Sequence, residues 1–243
     1  MQPQHWAVLD LTEFEPEVEV CRGYEPIAKE FKVLSMENSH SSGISGQHRV
    51  RTLGTKNLSW RFVECCVPHF SSHKWICISG VLYYTAAANS SSSISMVVCF
   101  DLMSENLTFV NFKETFSGAL RHSTTMVNYN GKFGLLMSRD SSYVSRASTC
   151  FELWVLQDAE WSMHVYVLPP SWKDVVTGSM RIAGMVGVNE IVLSPNYQQA
   201  ASYFIYYNVK SKTIRKVGIQ GMESFQDKRF YTYLNYVENV KLL

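Results

Sequence analysis

Cysteine and histidine crowd one short segment: Cys65, Cys66, His69 and His73 lie within nine residues, and Cys77 follows shortly after. Thiolate and imidazole are the ligands zinc prefers, usually four of them in tetrahedral array. Adjacent cysteines followed by a strand-like stretch do not match a finger spacing, so the segment is expected to be a proline-containing connection with inward-facing thiols and no metal. The acids offer no paired chemistry either. Glu105, Asp158 and Glu160 fall in short polar turns, where a carboxylate is expected to be solvated, and nothing in the sequence pairs Asp140 or Asp174. No G-x-S-x-G elbow, G-x-x-x-x-G-K-[ST] loop, H-E-x-x-H helix or G-x-G-x-x-G fingerprint occurs, which removes the readable routes to acyl transfer, nucleotide binding and zinc proteolysis. The expectation is a chain that is not an enzyme, with no catalytic residue and no cofactor.

The elements that carry these residues repeat. Residues 95–112 read as a β-hairpin, two β-branched and aromatic runs around the turn Met103-Ser104-Glu105-Asn106. F-D-L-M-S-E-N-L (100–107) aligns with W-V-L-Q-D-A-E-W (154–161) and Y-N-V-K-S-K-T-I (207–214), and less well with L-G-T-K-N-L-S-W (53–60). The last positions of these segments are spaced by 47, 54 and 53 residues. A period of roughly 50 residues with several strands per unit indicates a propeller. The expected fold is all-β, a propeller-like array of about four four-stranded antiparallel blades in one domain, 1–243. The blades fall near 18–63, 75–112, 124–168 and 180–219, with closing strands at 231–243 and a short strand at 6–11. Asn130-Gly131 between apolar runs predicts a type I′ turn, since both positions tolerate positive φ.

Hydrophobic residues make up 46% and charged residues 18%, enough apolar surface for a large core. The formal net charge of +1 provides no field to draw nucleic acid or anionic lipid, so neither is expected as a partner. Residues 75–100 carry no charge and are long enough to span a bilayer, but the run Asn89-Ser90-Ser91-Ser92-Ser93 would find no polar partner there; two strands and a loop are expected. The N-terminus lacks a basic start and a long apolar segment, which predicts a reducing compartment, cytoplasm or nucleus. The six cysteines are then free thiols, and the sequons at Asn57, Asn89 and Asn106 are turn residues.

Within each unit the first and third turns are mostly short. The longer connections, 37–47, 87–95, 138–150 and 194–202 within units and 64–74, 113–123 and 169–179 between them, must emerge at one end of the strands because the chain reverses at every turn. Binding tends to reside on loops held by a rigid scaffold. Aromatic residues and arginine dominate interface energies, which makes Phe70, Phe116, Arg121, Tyr143, Arg146, Trp172 and Tyr197 the candidate partner-binding residues of this end. Trp60, Trp154, Trp161, Tyr206 and Tyr207 are expected to be core or sheet-packing rings.

Five ordered blocks, G-Y-E-P-I-A-K-E-F-K-V-L (23–34), H-R-V-R-T-L-G-T-K-N-L-S-W-R (48–61), I-C-I-S-G-V-L-Y-Y (76–84), V-C-F-D-L (98–102) and N-Y-V-E-N-V (235–240), closely resemble the plant F-box-associated domain of type 3 over nearly the entire chain. The resemblance implies a propeller-like region, related to kelch propellers but lacking their paired glycines, that selects target proteins for a cullin-based, SCF-type ubiquitin ligase. It carries no catalytic residues. Members usually place an F-box, which docks on a Skp-type adaptor, ahead of this region; only residues 1–22 precede Gly23, too few for that helical module. Binding to the adaptor is therefore expected only where an F-box comes from elsewhere, and the target is an unknown protein. The alternatives are a paralogue that binds targets without ligase docking and, from a different class, a carbohydrate-binding or hydrolytic propeller.

Overall fold

A computed structural model of the chain describes residues 18–37, 47–55, 59–88, 94–112, 124–140, 143–197 and 203–221, with Arg229, Thr232 and Leu234. Sixteen strands form four four-stranded antiparallel sheets among these residues. The first contains β1 (Val18–Glu25), β2 (Glu30–Glu37), β3 (His48–Thr52) and β4 (Arg61–Val63); the second contains β5 (His69–Ile78), β6 (Val81–Ala88), β7 (Ile94–Asp101) and β8 (Asn106–Asn111). The third contains β9 (Thr125–Tyr129), β10 (Lys132–Ser138), β11 (Cys150–Gln157) and β12 (Glu160–Val167). A one-turn helix, α1 (Trp172–Val175), precedes the fourth: β13 (Met180–Val186), β14 (Glu190–Pro195), β15 (Tyr203–Asn208) and β16 (Thr213–Gly218). Each sheet is a simple meander in chain order, the blade expected from the repeat.

The blades pack through their first strands, with β1 against β5, β5 against β9 and β9 against β13. Apolar clusters fill the three interfaces. Leu34, Val50, Leu82, Tyr84 and Phe100 pack between blades 1 and 2; Ile78, Val97, Phe133 and Trp161 between blades 2 and 3; Phe151, Leu153, Trp172, Ile191 and Tyr207 between blades 3 and 4. A middle strand is covered on both faces, which is why β10 and β14 read as near-continuous apolar runs, whereas the outer strands β12 and β16 are largely exposed. Trp161 and Tyr207 are core rings as expected, and Trp154 is partly buried against the cluster that contains Trp161. Trp60 lies under the Arg51 guanidinium and Tyr206 under that of Arg215, so both are sheet-packing rings.

Close approach explains Gly23. A Cβ at that position would come within 2.6 Å of Leu102 Cδ1 and 3.0 Å of Leu82 Cγ, so the first blade seats against the second only because this side chain is missing. At the far end of the strands, Asn130 and Gly131 take φ of 52° and 79° and Asn128 Oδ1 accepts the Gly131 N–H at 2.8 Å, the reversal their identities predict.

Three local expectations are corrected. β5 begins at His69 rather than near Trp75, because Ala86, Ala87 and Ala88 continue β6 and offer Ser71, Phe70 and His69 a partner strand, with a bulge between Ser71 and Trp75. α1 interrupts the loop expected at 169–179; Pro169 and Pro170 precede its N-cap Ser171, and their carbonyls accept the Trp172 and Lys173 N–H groups at 2.9 and 3.4 Å. Asn106 is the first residue of β8, paired with Asp101, rather than a turn residue. The sequons at Asn57 and Asn89 and the strand at 6–11 lie outside the described residues. Of the closing strands, Thr232 and Leu234 are described, and Leu234 Cδ1 sits 3.0 Å from where a Cβ of Gly184 on β13 would be. The described part of 75–100 lies in β5, β6 and β7 and in the turn at Ser79 and Gly80, and among the described residues no helix is long and apolar enough to cross a membrane.

Candidate functional site

Both classes of long connection emerge at one end of the blades, because each blade runs as an uninterrupted meander. The short turns occupy the other end. There, positive φ at Lys29, Ser79, Glu105, Asn130, Asp158, Ala159 and Lys212 marks tight reversals of the chain.

Side chains fasten the loop end between blades 3 and 4. Asp140 Oδ2 accepts both the Thr149 N–H at 2.6 Å and its hydroxyl at 2.7 Å, closing the base of the loop between β10 and β11. Burial pushes the Asp140 carboxyl up, but these hydrogen bonds together outweigh it and hold the group below its ordinary value. Ser148 Oγ accepts the Ser145 N–H at 3.1 Å, and Trp172 Nε1 donates to the Ser145 carbonyl at 2.9 Å. Val144 and Met180 exchange backbone hydrogen bonds of 3.0 and 2.8 Å, and Met180 also pairs with Pro195. One continuous track therefore joins the loop of blade 3, the first strand of blade 4 and the loop that follows β14. Beyond Pro195, Asn196 accepts from Arg181 Nε at 2.7 Å and donates to Ser179 Oγ at 2.6 Å.

That track displays three of the seven predicted anchors. Tyr143 is 43% exposed and Tyr197 51%, and Arg146 is exposed on the same loop as Tyr143. Tyr197 also bridges Arg229 through its backbone. Phe116 and Arg121 lie outside the described residues. Trp172 is corrected: only 1% of it is exposed, and its ring meets Phe151 edge-on at 5.6 Å and Tyr207 at 6.2 Å, so it is a core residue that supports the loop from beneath. Phe70 is corrected as well, since it is a half-buried strand residue opposite Ala87 rather than a loop residue.

The acids divide by partner. Glu105 does not sit free in its turn. Its carboxylate takes Lys32 Nζ from blade 1 at 2.8 Å and Arg61 Nε at 3.1 Å, and Lys32 also donates to the Leu102 carbonyl at 2.6 Å. Burial pushes the Glu105 carboxyl up, but the hydrogen bonds from Arg61 and Lys32 outweigh it and hold the group below its ordinary value. Glu152 pairs with Arg139 at 2.8 Å, whereas Asp174 is exposed on α1.

At the loop end of blades 1 and 2, the thiol-rich segment meets a residue that sequence spacing does not connect to it. His48 opens β3, Cys65 lies in the connection from β4 to β5, and His69 opens β5; one ligand atom from each falls within 4.8 Å of the others. Cys65 Sγ is 3.7 Å from His69 Nδ1, and His69 Nε2 is 2.9 Å from the Tyr84 hydroxyl. Burial pushes the Cys65 thiol up and lowers His69, which favours neutral imidazole. All six cysteines are free thiols; Cys21 and Cys150 are buried, but Cys66 is exposed, against the expectation that the thiols turn inward.

The sequence model of the family described as "F-box associated beta propeller domain" matches residues 4–237. The "F-box protein At5g65850" of Arabidopsis thaliana is 48% identical over 224 residues, covering 90% of this chain and 55% of that protein. The "F-box protein DOR" of the same plant is 45% identical over 225 residues, covering 91% of this chain and 55% of that protein. The chain thus spans about half the length of these curated relatives. Among solved structures, TolB from Acinetobacter baumannii overlays 87% of this chain and 45% of its own with a TM-score of 0.43 at 8% identity.

Proposed function

The chain belongs to the F-box-associated β-propeller family, and from that premise we propose that it is the target-recognition module of an SCF-type ubiquitin ligase. It acts by holding a protein rather than by making or breaking bonds. The observation that carries this reading is the loop end between blades 3 and 4, where Tyr143, Arg146 and Tyr197 face solvent on connections tied down by the Asp140–Thr149 and Val144–Met180 bonds. A fixed backbone spares the cost of ordering a loop on binding, and tyrosine and arginine are the residue types enriched among interface anchors. Delivery of the target requires a Skp-type adaptor bound through an F-box, carried by the same polypeptide or by another. The module works in the cytoplasm or nucleus, where such ligases meet their targets.

The test is affinity capture from plant cell extract with the wild-type chain and with the triple variant Tyr143→Ala, Arg146→Ala, Tyr197→Ala, followed by mass spectrometry. The expected result is a reproducible partner lost with the variant while its melting temperature stays within about 2 °C of wild type, as surface substitutions normally do. A partner captured equally by both proteins would place recognition elsewhere. Co-purification of the Skp-type adaptor, with and without an added F-box, reads ligase docking separately.

A further inference from the structure

We propose that His48, Cys65 and His69 form a zinc-binding site that fastens blade 1 to blade 2 at the loop end. The three residues come from different parts of the chain, and their ligand atoms lie within 4.8 Å of one another. In a tetrahedral site with zinc–sulfur and zinc–nitrogen bonds of about 2.3 and 2.1 Å, a sulfur and a nitrogen ligand are about 3.6 Å apart. The 3.7 Å between Cys65 Sγ and His69 Nδ1 is already at that separation. His48, its ring centroid 5.0 Å from that of His69, closes the set by a shift of about 1 Å toward the ~3.3–3.6 Å edges of such a site. Both histidines are 3% exposed, so the ligands are held by surrounding structure rather than by mobile surface chain.

The surroundings of His69 suit a ligand. Its Nε2 faces the hydroxyl of Tyr84, a fully buried ring, at 2.9 Å. A metal-bound imidazole almost always donates its remaining N–H to an acceptor oxygen of a carboxylate, carbonyl or water, which fixes both tautomer and ring orientation, and the Tyr84 hydroxyl oxygen is placed to fill that role. Without metal, Nδ1–H donates to the Val67 carbonyl at 2.8 Å and the Cys65 thiol donates to the same oxygen at 3.2 Å. On binding, the thiol proton leaves to solvent and the imidazole proton passes to Nε2, where the Tyr84 hydroxyl turns from donor to acceptor; the Val67 carbonyl gives up both donors and swings off the Nδ1 axis, so that the freed sulfur and nitrogen lone pairs reach the ion. Three protein ligands of type N₂S leave a fourth position for water, as in an open zinc site.

The ligand set selects a borderline-soft divalent ion over magnesium or calcium, which require oxygen ligands. Its place in the fold gives it a structural role distinct from target recognition. His48 belongs to blade 1 and His69 to blade 2, so the ion would tie these blades at the end opposite the Lys32–Glu105 pair.

The experiment titrates the purified full chain with Co²⁺, whose thiolate charge-transfer absorption reports sulfur ligation, and then displaces the Co²⁺ with Zn²⁺. The expected result is one Co²⁺ per chain with a thiolate band, abolished in Cys65→Ser and in His69→Ala and retained in Cys66→Ser. Tyr84→Phe keeps the band with about 10–100-fold weaker affinity, the usual consequence of losing a hydrogen bond to a metal ligand. Circular dichroism and melting of each metal-free variant separate loss of a ligand from loss of fold. Zn²⁺ should raise the melting temperature of the wild type and leave that of folded Cys65→Ser unchanged. A wild-type chain without a thiolate band, or a band that survives Cys65→Ser or disappears in Cys66→Ser, would overturn the assignment.

Discussion

Replacing Glu105 by Gln removes the charge at the centre of the clasp between blades 1 and 2 while preserving the shape of the side chain. Lys32 would keep its bond to the Leu102 carbonyl but would lose its counter-ion in a site where its side chain is 9% exposed. Breaking a fully buried pair costs about 3–5 kcal/mol, mostly through the charge left behind. The Glu105 side chain is 24% exposed and Lys32 retains one acceptor, which lowers the expected cost to about 2–3 kcal/mol. Arg61, 44% exposed, adds at most about 1 kcal/mol and loses that with salt. For a domain of this size the loss corresponds to a melting temperature lower by about 4–12 °C.

The sign of the pH dependence follows from the lowered carboxyl pKa of Glu105 in the folded chain. Its stabilisation is fully present above the unfolded value of about 4.3 and is lost as pH falls through the lower folded value. Urea melts of wild type and Glu105→Gln should therefore differ by a constant amount between pH 6 and 8 and converge under acid conditions. The paired replacement Lys32→Met with Glu105→Leu should recover most of the loss, because an apolar pair leaves no buried charge. A difference below about 0.5 kcal/mol at pH 7, the range of an ordinary surface substitution, would show that the clasp contributes little. A difference that persists in acid would show that charge is not its cause.

Other parts of the frame lead to separate expectations. Trp172→Ala should cost about 3–5 kcal/mol in a urea melt, since it empties the junction of blades 3 and 4, and near-ultraviolet circular dichroism should show the packing of Phe151 and Tyr207 loosened. Gly23→Val should cost about 1–3 kcal/mol or more through overpacking against Leu102 and Leu82, whereas Gly54→Ala, at a position with no neighbour within 4 Å, should lose only the smaller cost of its positive φ. Asp140→Ala should raise amide hydrogen exchange at Thr149 and its neighbours without a comparable change in β10, because the substitution opens the base of one loop and leaves the ladder intact.

The ordering of the sixteen strands was legible in the sequence because it rests on local chemistry. Alternating and continuous apolar runs mark strands, and Asn130-Gly131 marks a reversal that few other pairs can make. The common emergence of the long connections follows from reversal parity alone. The blocks shared with the F-box-associated domain carry the same scaffold: Gly23 in the first of them is required by the approach of Leu102 to 2.6 Å from where its Cβ would be.

Other features depend on which distant residues meet. Trp172 has the composition of an interface anchor, and only the packing of blade 3 on blade 4 turns it inward and leaves Tyr143 and Arg146 above it. Phe70 entered a strand because Ala86, Ala87 and Ala88 extended the strand opposite. Glu105 has the sequence context of a solvated turn acid; Lys32, 73 residues away, makes it half of an inter-blade ion pair. The cysteine–histidine segment 65–77 suggested ligands without a complete site, since no spacing rule connects it to His48. Composition and periodicity determine the strands and the scaffold. Contacts made across blade interfaces, which local patterns do not encode, decided which of its polar and aromatic residues face solvent, which pair, and which gather around a common point.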